Sequence, residues 1–214
     1  MQFLNFLLPL PVVLLQLAGV AHAAPRGSNT TILPGAVVHK SNGFEWLSLP
    51  SSADLSHPAL NLSSLLELSA AGRPLPSLPS GIPAPSRLSD LIGVHADAAT
   101  TIHCETSDAS PYRMYSEKML KTMKQLQHQW CCVDKPKDGT CRMMLMSGYP
   151  KPGAAATDIC NYTPHNHICL NCGAAAWAIE VIIDKCTEGV ALNRQAGGYV
   201  KFNDVVVNLY TKWA

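Results

Sequence analysis

Cysteine carries the most chemistry in this chain. Cys104, Cys131, Cys132, Cys141, Cys160, Cys169, Cys172 and Cys186 all follow residue 100 of a 214-residue sequence, and no cysteine precedes them. Oxidised pairs would staple a fold, whereas four thiolate or imidazole ligands would hold zinc. An even count behind an export signal points to four disulfides. The pairing is not readable from eight cysteines, but geometry limits it. Cys172 and Cys186 are expected at opposite ends of one helix, about 20 Å apart at 1.5 Å per residue. A disulfide needs Cα atoms within about 7 Å, so these two take other partners. Cys131 and Cys132 are adjacent and are expected to bond different cysteines, one of them reaching Cys141 across a turn.

The rival chemistry is metal binding. Cys169-Leu170-Asn171-Cys172 is a CxxC, with His165, His167 and Cys160 nearby. A single CxxC is a weak zinc signal, and an oxidising compartment favours S–S bonds over thiolates. No metal and no cofactor are therefore expected, and His165 and His167 read as solvated loop residues. For catalysis, Glu180 and Asp184 stand four apart on a helix, a spacing that places two carboxylates on one face. An acid–base pair also needs one of them buried, and solvated charges beside Lys185 are the expected state. No G-x-S-x-G or H-E-x-x-H occurs, so the reading is not an enzyme.

These residues must be positioned by a chain of two unlike parts. Met1 to Ala23 reads as a secretory signal peptide, with an apolar run from Leu4 to Val20 and an Ala21-His22-Ala23 cleavage site. Residues 24–100 read as a disordered Pro/Ser-rich linker, stalk or pro-region. Pro74, Pro76, Pro79, Pro83 and Pro85 crowd one stretch that cannot form helix or sheet interior. Short amphipathic helices at Leu60–Leu68 and Leu88–Val94 would have no core to join, and Arg87 is a lone basic processing candidate. Asn29, Asn61 and Asn161 begin N-glycosylation sequons.

Residues 101–214 read as the cysteine-rich domain. Thr100–Cys104 is expected as a strand. Ser110 and Pro111 are expected to cap a helix that runs to Trp130, with Tyr112, Tyr115, Met119, Met123, Leu126 and Trp130 as its apolar stripe. Glu117 and Lys121 are placed for an ion pair on its other face. Cys141–Ser147 and Ala154–Tyr162 are expected strands. Asn171 caps a second helix, Cys172 to Lys185, and Ala175, Ala178, Ile179, Ile182 and Cys186 line its buried face. Tyr199–Phe202 and Val205–Tyr210 are strands joined at Asn203-Asp204. The order is βαββαβ, so the expected fold is α+β: a disulfide-stapled, two-layer sandwich of ferredoxin-like order.

Charge excludes some partners. From Thr101 onward there are 12 Lys and Arg against 10 Asp and Glu, a balance that gives no attraction to nucleic acid. No segment after the signal is apolar and long enough for a stable membrane anchor. Met119, Met123, Met143, Met144 and Met146 would serve as core filling or as an adaptable contact surface.

One stretch resembles a known pattern. His103-Cys104-Glu105-Thr106-Ser107-Asp108-Ala109-Ser110-Pro111 is similar to the Cys-x-Thr-Ser-x-x-Ser-Pro opening of fungal secreted cysteine-rich proteins. Asp158-Ile159-Cys160, Cys172, Cys186, Gly197-Gly198 and Val205–Tyr210 follow in the matching order. The chain thus resembles the killer-toxin-like and extracellular-effector group. The resemblance implies an α/β sandwich, an extracellular location and action by binding, with no catalytic residues.

The leading functional expectation is a secreted fungal effector or killer-toxin-like glycoprotein that binds an unknown extracellular protein or glycan of a host or competitor, as a monomer. A small hydrolase working near Glu180, Asp184 or His165 is the first alternative. A cell-wall or glycan-associated structural protein is the second. The contact surface is expected on the exposed helix face or in the loops Lys135–Thr140 and Pro150–His167.

Overall fold

The structure is a computed structural model that describes residues 35–41, 44–86, 100–136, 139–190 and 194–212. The expected signal peptide, Asn29, Arg87 and the Leu88–Val94 helix lie outside the described residues.

Helix Cys172–Lys185 sits at the centre. The Asn171 side chain accepts a hydrogen bond from the Gly173 N–H, 2.8 Å away, and so starts the helix as the sequence predicts. Its first turns, Cys-Gly-Ala-Ala-Ala, carry little side-chain bulk, so other elements approach closely. Burial is not confined to one face. Ala174, Ala175, Ala176, Ala178, Ile179, Ile182 and Ile183 are all buried, the state expected of a helix enclosed on several sides.

Two antiparallel sheets flank it. The chain runs β1 (Val37–Ser41), β2 (Phe44–Leu49), α1 (Leu62–Ala70), β3 (Thr100–Cys104), α2 (Arg113–Gln125), β4 (Trp130–Asp134), β5 (Cys141–Ser147), β6 (Ala155–Asn161), β7 (His167–Asn171), α3 (Cys172–Lys185), β8 (Thr187–Glu188), β9 (Gln195–Ala196), β10 (Gly198–Phe202) and β11 (Val205–Thr211). The five-stranded sheet has the order β3-β10-β11-β6-β5, and the four-stranded sheet β1-β2-β7-β4. Helix α3 touches strands of both, and α2 packs beside α3 over β5 and β6.

The α+β class and the disulfide stapling match the sequence reading. A single two-layer sandwich does not. A second sheet forms instead, in which the unexpected strand β7 pairs with the unexpected strand β4 on one side and with β2 on the other. Trp130 was expected on the α2 stripe, but the helix ends at Gln125 and Trp130 opens β4. The helix also starts later than Ser110-Pro111 implies. Tyr112 is its N-cap residue without a side-chain bond, while the Ser110 hydroxyl instead accepts from Ser107 N and donates to the Glu105 carbonyl. The expected Glu117–Lys121 pair is replaced by Arg113–Glu117, at 2.6 Å.

The linker reading fails for residues 35–41 and 44–86, which are part of the same fold. Phe44 joins the main core and its ring lies 4.3 Å from that of Phe202. Leu65 of α1 is fully buried in that core. On its other face the four-stranded sheet carries Leu47, Leu49, Trp130, Cys132 and Cys169, packed against Leu60 and Ile82. Proline does not prevent this, because the Pro74–Ser86 segment needs no sheet pairing. It is held by its carbonyls and its serine instead. Trp130 Nε1 donates to the Pro83 carbonyl (2.8 Å), Asn171 Nδ2 donates to the Ser86 carbonyl (2.8 Å), and the Ser86 hydroxyl donates to the buried Glu45 carboxylate (3.0 Å).

All eight cysteines are paired: Cys104–Cys186, Cys131–Cys172, Cys132–Cys169 and Cys141–Cys160. Adjacent Cys131 and Cys132 do take different partners, because successive strand residues point to opposite faces. The expected bond from one of them to Cys141 does not form. Cys141 instead lies directly opposite Cys160 on β6, and Cys132 directly opposite Cys169 on β7. Gly198 explains the Gly-Gly pair. Its φ is +148°, and a Cβ there would lie 2.1 Å from the His103 carbonyl oxygen.

Candidate functional site

Strand alternation decides what the five-stranded sheet shows to the outside. Val205, Val207 and Leu209 of β11 face the core with Val200 and Phe202 of β10. Residues between them must point the other way. Register then lines up one row across four strand pairs: His103 opposite Tyr199, Tyr199 opposite Asn208, Asn208 opposite Asp158, and Asp158 opposite Met143. The row carries an imidazole, a phenol, an amide, a carboxyl and a thioether. The neighbouring row holds Lys201 opposite Thr101 and Val206.

Two of the shallow depressions on this face share Tyr199 and Asn208 in their linings. One, of about 380 Å³, is lined by Tyr162, Tyr199, Lys201, Asn203, Asp204, Val206 and Asn208. Asn203 turns β10 into β11 with φ +53°, a left-handed conformation that asparagine tolerates. The other, of about 260 Å³, is lined by Glu105, Asp158, Gly198, Tyr199, Asn208, Leu209 and Tyr210. His103 and Tyr199 stack at 4.5 Å between ring centroids.

Asp158 is the unusual group of the face. It is only 9% exposed. Burial pushes its carboxyl up to about 6, and a hydrogen bond from Asn208 offsets part of that. Tyr210 is raised by its own burial and by the nearby Asp158 charge. The Asn208 amide also donates to Cys160 Sγ (3.1 Å), which ties it to the Cys141–Cys160 disulfide. These two sulfurs and the Asp158 carboxyl lie within 4.8 Å of one another. The sulfurs are bonded to each other and are not thiolate ligands.

The candidates named from sequence are scattered. Both cysteines of the CxxC are consumed, Cys169 by Cys132 and Cys172 by Cys131. Glu180 pairs with Lys124 across the two helices (2.6 Å) and is partly exposed, as is expected of a surface charge. Asp184 is exposed. His165 instead lies near His39 and Trp46, at ring distances of 5.5 and 5.8 Å. His39 stacks on Trp46 at 3.9 Å, and burial and the neighbouring His165 hold its imidazole below the usual range. His167 borders a broad polar trough of about 750 Å³ with Asp134, Lys135, Pro136, Gly139, Arg142 and Asn166. That trough falls in the expected Lys135–Thr140 loop region, but its charges are already used. Arg142 grips Asp134 through two bonds of 2.9 and 2.6 Å, and Lys135 donates to the Thr163 carbonyl.

Asn161 is a correction among the sequons. It is 1% exposed, its amide donates to the His165 carbonyl, and its oxygen accepts from Thr163 N and Oγ1. The folded chain leaves no room for a glycan there. Asn61 is half-buried and its oxygen caps α1 through the Ser64 N–H. Of the methionines, Met119, Met123 and Met144 fill the core, while Met143 and Met146 are exposed on β5.

The sequence reading passed over Asp158, Tyr199, Asn208 and Tyr210 as site residues. The signal was the alternation within Val205–Tyr210, masked by Val206 because that outward residue is as apolar as its core-facing neighbours. Comparison with known protein families, characterised proteins and solved structures finds no match.

Proposed function

We propose that this chain is a secreted, disulfide-stapled binding protein of the effector or killer-toxin-like kind. It recognises an extracellular target of a host or competitor through the outer face of its five-stranded sheet, and it does so without catalysis. The observation that carries this reading is the His103–Tyr199–Asn208–Asp158–Met143 row, which sets mixed aromatic and polar groups over two open depressions. Aromatic rings and fixed polar groups on a rigid scaffold are what recognition surfaces use.

Four disulfides support an extracellular compartment, because such bonds persist where the surroundings are oxidising. Among the described residues no helix is long and apolar enough to cross a membrane. The Met1–Ala23 signal and the Cys104–Pro111 opening support export and the killer-toxin-like assignment. In that assignment β3, α2, β5, β6, α3 and β11 form the βαββαβ order, β10 adds a hairpin strand, and the four-stranded sheet is an addition on the far side of α3.

The test is capture of extracellular and membrane proteins from candidate host or competitor cells. Three forms of the purified chain are compared: the natural one, Tyr199→Ala with Lys201→Glu, and Lys118→Glu with Lys121→Glu on exposed α2. Partners held by the natural chain and by the α2 variant, but lost from the sheet variant, are the expected result. Retention by the sheet variant would overturn the reading.

A further inference from the structure

The depression over Asp158 is specific in its charge. Its ionisable lining is two carboxyls, Glu105 and Asp158, and two phenols, Tyr199 and Tyr210, with Asn208 between them. None of the ion pairs among the described residues engages Glu105 or Asp158. We infer that this depression is a subsite for a cationic side chain, a lysine ammonium or an arginine guanidinium, presented by a protein partner. The inference rests on the binding-face reading above and names what one part of that face accepts.

Asp158 supplies the second observation. It is 9% exposed, it lines the depression, and among the described residues the groups within hydrogen-bond reach of it, the Asn208 amide and Cys160 Sγ, are neutral. A buried carboxyl without a countercharge is costly to the fold. Burial raises it to about 6 against the lowering effect of the Asn208 hydrogen bond, and no ion pair among the described residues supplies it a cation. An incoming ammonium provides the missing countercharge. It also meets the phenol rings, whose faces attract cations. Charge-assisted bonds to two carboxyls are among the stronger polar contacts a partner can make.

A depression of about 260 Å³ admits one long side chain and leaves the rest of a partner to the adjoining depression, with Lys201 and Asp204.

The test is a titration of the isotope-labelled full mature chain, followed by NMR. The probes are Nα-acetyl-lysine methylamide, Nα-acetyl-arginine methylamide, the neutral isostere Nα-acetyl-norleucine methylamide, and a chito-oligosaccharide with free amines. Saturable shifts at Asp158, Tyr199, Asn208 and Tyr210 with the lysine or arginine probe only are the expected result. Affinity should fall about tenfold in both Glu105→Gln and Asp158→Asn, each near-isosteric and checked for an unchanged spectrum elsewhere. Equal shifts with norleucine, tighter binding of the amino sugar, or unchanged affinity in both variants would overturn the inference. Loss of partner capture in the Tyr199→Ala, Lys201→Glu variant alongside such a null titration would sink this subsite and leave the binding face standing.

Discussion

Phe44 and Phe202 meet ring to ring, 4.3 Å between centroids, although 158 residues separate them in sequence. Trp177 of α3 completes the cluster, 5.3 Å from Phe44 and 6.1 Å from Phe202. The residue before the cysteine-rich region and the residue in the last hairpin therefore share one core. Phe44→Ala is expected to cost about 3–5 kcal/mol, as a buried aromatic does. Denaturant unfolding reads this directly. A change of only a few tenths would return residues 44–49 to the status of a linker.

The four disulfides should differ in worth because they close different lengths of chain. Cys104–Cys186 spans 82 residues and Cys141–Cys160 spans 19. Restricting the unfolded chain is worth about 4–5 kcal/mol for the first and about 3 kcal/mol for the second, taken singly. Paired alanine replacements at each bridge, compared by thermal unfolding, should show the larger loss for Cys104 and Cys186. The reverse order would mean that the Cys141–Cys160 bridge does more than shorten the unfolded chain.

Asp158 makes stability depend on pH in a defined direction. Its carboxyl rises from 3.8 to about 6 on folding. Below the lower value both states are protonated and the group contributes nothing. As pH rises between the two, the unfolded chain ionises first, so this contribution to stability falls and then stays low. The loss is on the order of 3 kcal/mol at 1.36 kcal/mol per unit. Asp158→Asn should therefore melt higher than the natural chain near pH 7.5 and the same near about pH 3.5. A lower melting point for the variant at neutral pH would contradict the burial argument.

Much of the cysteine-rich part was legible because its signals are local. Asn171 before an Ala- and Ile-rich run gives α3 its start, and Asn203-Asp204 between apolar runs gives the last hairpin. Strand β7 was hidden because His167-Ile168-Cys169-Leu170-Asn171 is short and reads as the loop before a capped helix. Strand β4 was hidden because Trp130 continues the three-and-four spacing of α2. The disulfides then misled in part, since Cys132 with Cys169 and Cys141 with Cys160 depend on long-range strand register. Proline misled most. Pro83 bars regular structure locally, and Trp130, 47 residues away, gives its carbonyl a buried partner. The outer row was not legible, because it exists only once β3, β10, β11, β6 and β5 lie side by side.

The central claim is that the outer face of this sheet meets the target. A photo-crosslinking residue in place of Tyr199, in the row, and separately in place of Lys118, on exposed α2, tests it in the bound state. The natural target cells are exposed to each protein, illuminated and examined for covalent adducts by mass spectrometry. An adduct from position 199 and none from position 118 is the expected result. An adduct from position 118 alone would place recognition on the helix and contradict the account.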